Sequence, residues 1–451
     1  MTAFETAPHT ADYERRLVQA AIQPREIGAW LGALFADVGA SPGDPCRVLD
    51  MKYEPGQYCR ILYQLGGRML IGSFRWGEDE GEVPETARLV APLGMQAYLF
   101  QHDPDLPGLA TALDPERLAR MLEDEVPEVG GRVLRVRTTP LRYRPGRRCT
   151  LRVDYWARDG GARPRAGTLF GKVYHDLEKA ESVYRDMRLL AESEPARAGR
   201  VVLVRPVTLL REPRLMLQAP VAGTSLELLL EGMRDPVTAG DRRGWDGVVA
   251  SAEALAAVHG SGVAAGRERS IDAELRRFAR RAAQAAAVDA QVGGRLVELA
   301  AALPAWRGRL PEWGERLTLV HGDCKHSQCL LTDGAVAVLD FDHCGMADPA
   351  NDIGLYLATL RQLGIHQRLL AHGSPASEAR ARWLRELEGA FLGAYCAASG
   401  YGEGFRLRAT WYEAVALMRK ALRAFARSPR SPMPGAEVEE AWRCLAELPA
   451  A

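Results

Sequence analysis

Apolar positions change their spacing partway along the chain. From about residue 45 to 220 they fall in short runs separated by Gly/Pro turns: CRILYQL (59–65), RMLIGSF (68–74), RVLRVRTT (132–139), CTLRVDYWA (149–157), TLFGKVY (168–174), RVVLVRPVTLL (200–210) and RLMLQAP (214–220). Alternation, β-branching and turn punctuation predict strands. From about 225 onward the apolar positions recur at three and four with charges opposite, as in VVASAEALAAVHG (248–260), AELRRFARRAAQAAAV (273–288), GGRLVELAAALPAW (293–306), ARARWLRELEGAFLGAYCAA (379–398) and WYEAVALMRKALRAFAR (411–427). That spacing predicts amphipathic helices. One β island interrupts them, LTLVHGD, CLLTD and AVAVLDFD, within 317–342. A β-rich front and a helical rear holding a small polar β island predict two lobes with a cleft.

The front also contains an internal repeat. KYEPGQYCRILYQL (52–65) matches RYRPGRRCTLRVDY (142–155), with Tyr53/Tyr143, Pro55/Pro145, Gly56/Gly146, Cys59/Cys149 and Ile61/Leu151 in register. Pro followed by Gly suits the two central positions of a type II turn, so each copy reads as a β-hairpin with a tight tip. Either both are hairpins of one sheet, or they are duplicated phosphate-facing turns of which one is used. The second copy is the better candidate for use, because a strand bearing Lys172 follows it, whereas LIGSFRWGEDEG (70–81) in the first has no lysine.

Composition narrows the class. Over 451 residues, 47% are hydrophobic and 26% charged, which is ordinary for a folded chain of about three domains. Lys+Arg and Asp+Glu are both 58, a balance without the basic footprint that nucleic-acid binding needs. No run approaches the ~20 apolar residues of a membrane span, and the N-terminus lacks the pattern of a signal peptide. The expectation is a soluble, cytoplasmic protein that binds neither nucleic acid nor membrane. Eight scattered cysteines without a CxxC pair argue against a disulfide framework. Only Lys52, Lys172, Lys179, Lys325 and Lys420 are lysines, so in this arginine-rich chain each raises the question whether a compact ammonium is needed there.

The densest polar cluster is VHGDCKHSQCLLTDGAVAVLDFDHCGMADPANDIG (320–354). Ionisable groups between apolar strands are costly unless paired, metal-bound or catalytic. Phosphoryl transfer needs one carboxylate to orient a hydroxyl, another to hold magnesium, a side-chain amide oxygen and cations on the phosphates. Asp323, Asp340 and Gln328 supply the first three, and a hairpin would fold them onto one Mg-ATP. Zinc is the competing chemistry, since His321, Cys324, His326 and Cys329 are ligand types, but their spacing is unfamiliar and the aspartates are left without a task.

HGDCKHSQ followed by LDFDHCGMADPANDIG resembles the catalytic and metal-binding loops of the aminoglycoside phosphotransferase and choline kinase family, small-molecule kinases with a protein-kinase-like fold. The family pattern H-G/N-D-x4-N, then an apolar strand ending in D-F/W-E/D, then D-P-x-x-D, is met except that Gln328 stands for Asn. The resemblance covers about residues 130–451. It implies Asp323 as catalytic base, Asp340 as main magnesium ligand, Gln328 at the second-metal position, Lys325 as a neutraliser of transferring phosphate and Asp352 as a brace of the catalytic loop. Maltose-phosphorylating kinases carry Gln at the same place.

In the front lobe the resemblance implies Lys172 on the ATP phosphates and the hairpin tip at Gly146 over them. Glu181 is implied as the lysine's partner, with Glu178 and Glu192 as competitors, and Gln218 to Pro220 as the hinge that meets adenine. His259, in LAAVHGSG, has a structural role. Trp411, Tyr412 and Glu413 either line an acceptor pocket or pack a helix face.

The resulting expectation is an α+β, two-lobed protein-kinase-like fold with a β-rich N-lobe, a mainly helical C-lobe and an extra N-terminal β-rich cap. The cap is assigned residues 1–128, the N-lobe 129–220 and the C-lobe 221–451. The expected activity is ATP- and Mg2+-dependent phosphorylation of a hydroxyl on a small molecule, a sugar or an aminocyclitol/aminoglycoside. A nucleotide-binding pseudokinase and a kinase of a peptide or protein side chain are the alternatives.

Overall fold

The computed structural model describes residues 11–54, 56–77, 84–160, 163–231, 239–310, 317–370 and 374–449. Helices α1 (Ala11–Ala21) and α2 (Pro24–Leu34) precede strands β1 (Cys46–Glu54), β2 (Tyr58–Leu65), β3 (Arg68–Arg75), β4 (Arg88–Val90) and β5 (Met95–Leu99). Next come α3 (Leu109–Leu113), α4 (Pro115–Glu125), β6 (Arg132–Arg144), β7 (Arg148–Arg158), β8 (Arg165–Tyr174), α5 (Leu177–Ala191), α6 (Glu194–Arg197), β9 (Val202–Leu203), β10 (Pro206–Leu210) and β11 (Leu215–Gln218). The rear holds β12 (Thr224–Ser225), α7 (Leu226–Glu231), α8 (Ala239–His259), α9 (Ile271–Val288) and α10 (Ala290–Arg307). The island is β13 (Thr318–Val320), β14 (Cys329–Leu331), β15 (Val336–Val338) and β16 (Gly345–Ala347), followed by α11 (Ala350–Leu370), α12 (Pro375–Ser399), α13 (Glu403–Arg427) and α14 (Met433–Ala446). The fold is therefore α+β, with a β-rich front and a helical rear. Among the described residues no helix is long and apolar enough to cross a membrane.

Contacts divide the chain into two units, Met1–Glu181 with Val207–Ala219, and Ser182–Pro206 with Pro220–Ala451. The first unit holds two five-stranded sheets, ordered β1-β2-β3-β5-β4 and β10-β11-β8-β7-β6. Period-two alternation gives the first sheet two apolar faces. Cys59, Ile61, Tyr63 and Leu65 pack on Val18, Ile27 and Leu31 of the two leading helices. Leu62, Ile71 and Tyr98 join Leu118 and Leu122 of α4 and Leu151 and Val153 of the second sheet in one core, which crosses the boundary expected near residue 128. Fully burying each such side chain stabilises the unit by about 1.5–3 kcal/mol.

In the second unit Arg361 of α11 ties three other helices together. It pairs with Glu413 of α13 at 2.6 Å, Glu388 of α12 at 3.1 Å and Glu440 of α14 at 3.5 Å. Glu440 is also held by Arg368 and Arg443, each at 2.6 Å, which leaves Glu388 and Glu413 to share Arg361. Burial, then the charge of Glu413, pushes the Glu388 carboxyl up to about 8, against the pull of Arg361. Burial likewise raises Glu413 and Glu437 to about 7. A carboxyl whose folded pKa is raised binds its proton more tightly in the folded state, so stability falls as pH rises between the unfolded and folded values. His326 and His343, both pulled down to about 4 mainly by burial, act in the opposite sense, but only below their ordinary 6.5. Between pH 6.5 and 8 the glutamates decide. The thermal midpoint of the protein is expected to fall over that interval, and Glu388→Gln to flatten the slope; a wild-type midpoint that rises there would contradict the assignment.

Candidate active site

In the second unit the loop after β13 is organised by one carboxylate. Asp352, fully buried in the first turn of α11, accepts from the backbone N–H of His321 at 2.6 Å and of Gly322 at 2.7 Å. His259, at the end of α8, stands 3.1 Å from the same carboxylate and 2.7 Å from the Tyr395 hydroxyl. Burial pushes the Asp352 carboxyl up, but the hydrogen bonds from His259 and from the Gly322 N–H outweigh it and hold it below the usual value. His321 donates from Nε2 to the Leu339 carbonyl at 2.7 Å, which leaves Nδ1 to accept from the Asp323 N–H at 3.3 Å. This histidine shapes the loop. It is not a nucleophile.

Asp323 is thereby presented at the loop's edge with its side chain 27% exposed. Burial raises its carboxyl, but Lys325, in ion pair with it at 2.8 Å, outweighs burial and holds it below the usual value, so the group is ionised. Lys325, expected on the transferring phosphate, is in this structure held on the aspartate.

The β14–β15 hairpin brings the other two groups together. Leu339 N–H donates to Gln328 O at 2.9 Å, extending the ladder by a residue, and Gln328 Nε2 lies 3.4 Å from Asp340 Oδ2. Asp340 has φ +66°, and Arg214 is the other non-glycine with positive φ among the described residues. Left-handed backbone is costly for most side chains but accessible to Asp, and it tends to occur where function needs it. A magnesium ion takes one or two carboxylates from a protein and fills its shell with phosphate oxygens and water. The Asp340 carboxylate, with the Gln328 amide turned to offer its oxygen, fits that demand. The zinc alternative fails. No group of three or more His, Cys, Asp or Glu among the described residues is placed to hold a metal, and His321 is fully engaged in the loop. All eight cysteines are free thiols.

Trp411, Tyr412 and Glu413 pack rather than line a pocket. Trp411 is fully buried and donates to the Leu303 carbonyl at 2.9 Å, and Glu413 is spent on Arg361.

In the first unit Lys172 is 8% exposed two residues before the end of β8, opposite Met216 of β11 and Thr150 of β7. The repeat places Ser73, opposite Arg60, at the corresponding point of the first sheet. Gln218 ends β11 at 7% exposure, and the chain passes from the first unit to the second between Ala219 and Pro220.

Two expectations need correction. Glu181 carries an ion pair with Arg211 at 2.8 Å instead of pairing with Lys172. Glu178 and Glu192 are exposed, and the buried acid of α5 is Asp186 at 3%. It sits on the stripe of Ala180, Val183, Met187 and Leu190, so an acid at an apolar position was the available signal.

The second correction concerns Gly146, expected to approach phosphates. Its N–H is already donated, at 2.7 Å, to Asp103 Oδ2, which also accepts from the Tyr143 hydroxyl at 2.6 Å. A Cβ there would run into Arg60, which pairs with Asp105. The first copy does the same with another carboxylate: Glu14 Oε2 accepts from Gly56 N–H at 3.0 Å and from the Tyr53 hydroxyl at 2.9 Å. Both glycines have positive φ, +72° and +68°, as the turn requires. The repeat is thus a carboxylate-gripping hairpin used twice; Pro55 of its first copy lies outside the described residues.

With this geometry in hand, the comparisons with known proteins are informative. A sequence model described as the phosphotransferase enzyme family matches residues 154–409. No curated protein matches in sequence. Among solved structures, a glucosamine kinase is similar with 16% identity and a TM-score of 0.46, covering 90% of this chain and 95% of its own. A choline kinase from Streptococcus pneumoniae gives 13% and 0.42, covering 73% and 99%. A macrolide 2'-phosphotransferase from Brachybacterium faecium gives 18% and 0.39, covering 74% and 99%.

Proposed function

The chain belongs to the phosphotransferase enzyme family, and from that premise we propose that it moves the terminal phosphoryl group of ATP to a hydroxyl of a sugar-sized small molecule. The observation that carries the reading is the meeting of Gln328 and Asp340 at 3.4 Å on a hairpin whose preceding loop presents an ionised Asp323. Twelve residues of sequence therefore close on one point, with two oxygen-bearing side chains beside a carboxylate free of any structural duty except its pair with Lys325.

Each group has a task set by its surroundings. Asp323 accepts a hydrogen bond from the acceptor hydroxyl, aims its oxygen, and takes the proton as the O–P bond forms. Its low pKa makes it a weak base, so orientation is its larger contribution. Lys325 holds Asp323 in place and faces the incoming phosphoryl charge. Asp340 and Gln328 would hold Mg2+, which when bound neutralises phosphate oxygens. Lys172, a buried ammonium in the front sheet, is the cation assigned to the nucleotide phosphates.

The test is ADP formation with Mg-ATP against pooled sugars, sugar acids, sugar phosphates, amino alcohols and nucleosides, with Asp340→Ala as blank. A product gaining one phosphoryl group above the blank is expected. Absence of any such product, with ATP still bound, would leave a nucleotide-binding protein without transfer and overturn the reading.

A further inference from the structure

Helix α13 carries Arg419, Lys420 and Arg423 past the catalytic loop. The loop leading into α9 adds Arg269, which donates to the His343 carbonyl at 2.6 Å and lies against Gly322. Few carboxylates balance these cations. Both oxygens of Glu274 are taken by Arg419, at 2.7 and 3.0 Å. Asp323 is taken by Lys325. Lys420 donates to the Gln362 amide at 2.8 Å, and the same amide group donates onward to Glu437. Arg423 makes no hydrogen bond or ion pair among the described residues.

The five cations, Lys325 included, face four carboxylates, Glu274, Asp323, Glu437 and the Asp352 that acts on Arg269, and one of those, Glu437, has its carboxyl raised to about 7 by burial. The unbalanced charge is felt by the cations themselves. Lys420 is pushed down to about 8 by burial and then by Lys325 and Arg423, with only Glu437 and Asp323 opposing. Arg269 and Arg423 are lowered by burial and then by Arg419. The Asp323 carboxylate acts on both Lys420 and Arg423, so the two cations lie within its electrostatic reach.

We propose that the acceptor carries an anionic group, a carboxylate or a phosphate, close to the hydroxyl that is phosphorylated, and that Arg423 and Lys420 bind it. This rests on the phosphotransferase reading of the site and names the acceptor's class. An arginine without a partner offers two parallel N–H donors to a planar carboxylate or to a phosphate edge, at no cost in broken protein contacts. A cationic aminocyclitol entering the same space would meet the like charge of Arg423 and Lys420.

The test compares four acceptors of one size: glucose, glucosamine, gluconate and glucose 6-phosphate. Turnover with Mg-ATP and thermal stabilisation by each compound alone are measured on wild type, Arg423→Ala and Arg423→Lys. One or both anionic members are expected to exceed glucose in kcat/KM by about tenfold or more, and the two arms separate carboxylate from phosphate. In Arg423→Ala the anionic-over-neutral ratio should fall about tenfold through KM, with the KM for Mg-ATP rising far less, and Arg423→Lys should recover part of it. Preference for glucose or glucosamine, or an Arg423→Ala loss shared equally with Mg-ATP, overturns the inference while leaving the transferase reading intact. Anion-selective stabilisation without turnover would uphold the anion site and remove the transferase reading. Neither turnover nor selective stabilisation removes both.

Discussion

Asp323→Asn is expected to lower phosphoryl transfer by about 10²–10⁴-fold, the range for loss of a positioned acid–base group, while Mg-ATP binds as in wild type. The substitution is isosteric, and the loop that carries residue 323 is held by Asp352 and Leu339 through His321 and Gly322, so the backbone stays in place. What disappears is the negative charge and its capacity to receive the hydroxyl proton. Lys325 loses its partner at the same time and turns to the nearest anion, the nucleotide phosphate, so nucleotide affinity should not weaken. Single-turnover transfer and calorimetric titration with Mg-ATP read the two quantities separately. Transfer within about tenfold of wild type would take the role away from Asp323.

The second large effect is on stability. Asp352→Ala should cost about 3–5 kcal/mol, because it removes the shared acceptor of three buried donors, each costing about 1–3 kcal/mol when left unsatisfied. It leaves His259 beside an empty position and orphans the N–H groups of His321 and Gly322. Urea denaturation followed by far-UV circular dichroism measures the loss, and native-state amide exchange at residues 321 and 322 localises it. Asp352→Asn should lose less overall, since the amide oxygen still accepts, but its NH2 group must face a donor. A loss below about 1 kcal/mol for the alanine variant would mean that the loop is held by other contacts.

The hairpin that brings Gln328 to Asp340 was legible in the sequence because its parts lie within 35 residues. The exchange of apolar spacing from two to three and four was equally plain, and it placed the main strands of the front and five helices of the rear, while α1 to α4, α11 and α14 went unread. The repeat was visible too, and its register is kept, with Cys59 and Cys149 turned into their cores. Its use was misread. A tight glycine turn has the same local sequence whether its N–H faces a ligand or a carboxylate of the same chain, and nothing near Gly146 in sequence points to Asp103. Asp186 was missed because the search in α5 was for glutamates, when burial, set by the helical period, was the better guide. The cations around Asp323 were hidden by composition. In a chain this rich in arginine no single Arg stands out, and only the fold shows that Arg419 has a partner while Arg423 has none among the described residues.

The twin hairpins bear on how the chain reaches this structure. Each Pro-Gly corner forms locally, but its glycine N–H is satisfied only by a carboxylate 42 or 43 residues earlier. Closing a loop of that length costs entropy that grows with the logarithm of its length, so the corner and its clamp form on different timescales. In both copies the carboxylate precedes the hairpin. A chain made from its N-terminus therefore carries Glu14 before the first corner emerges and Asp103 before the second, and synthesis delivers each clamp ahead of the turn it closes.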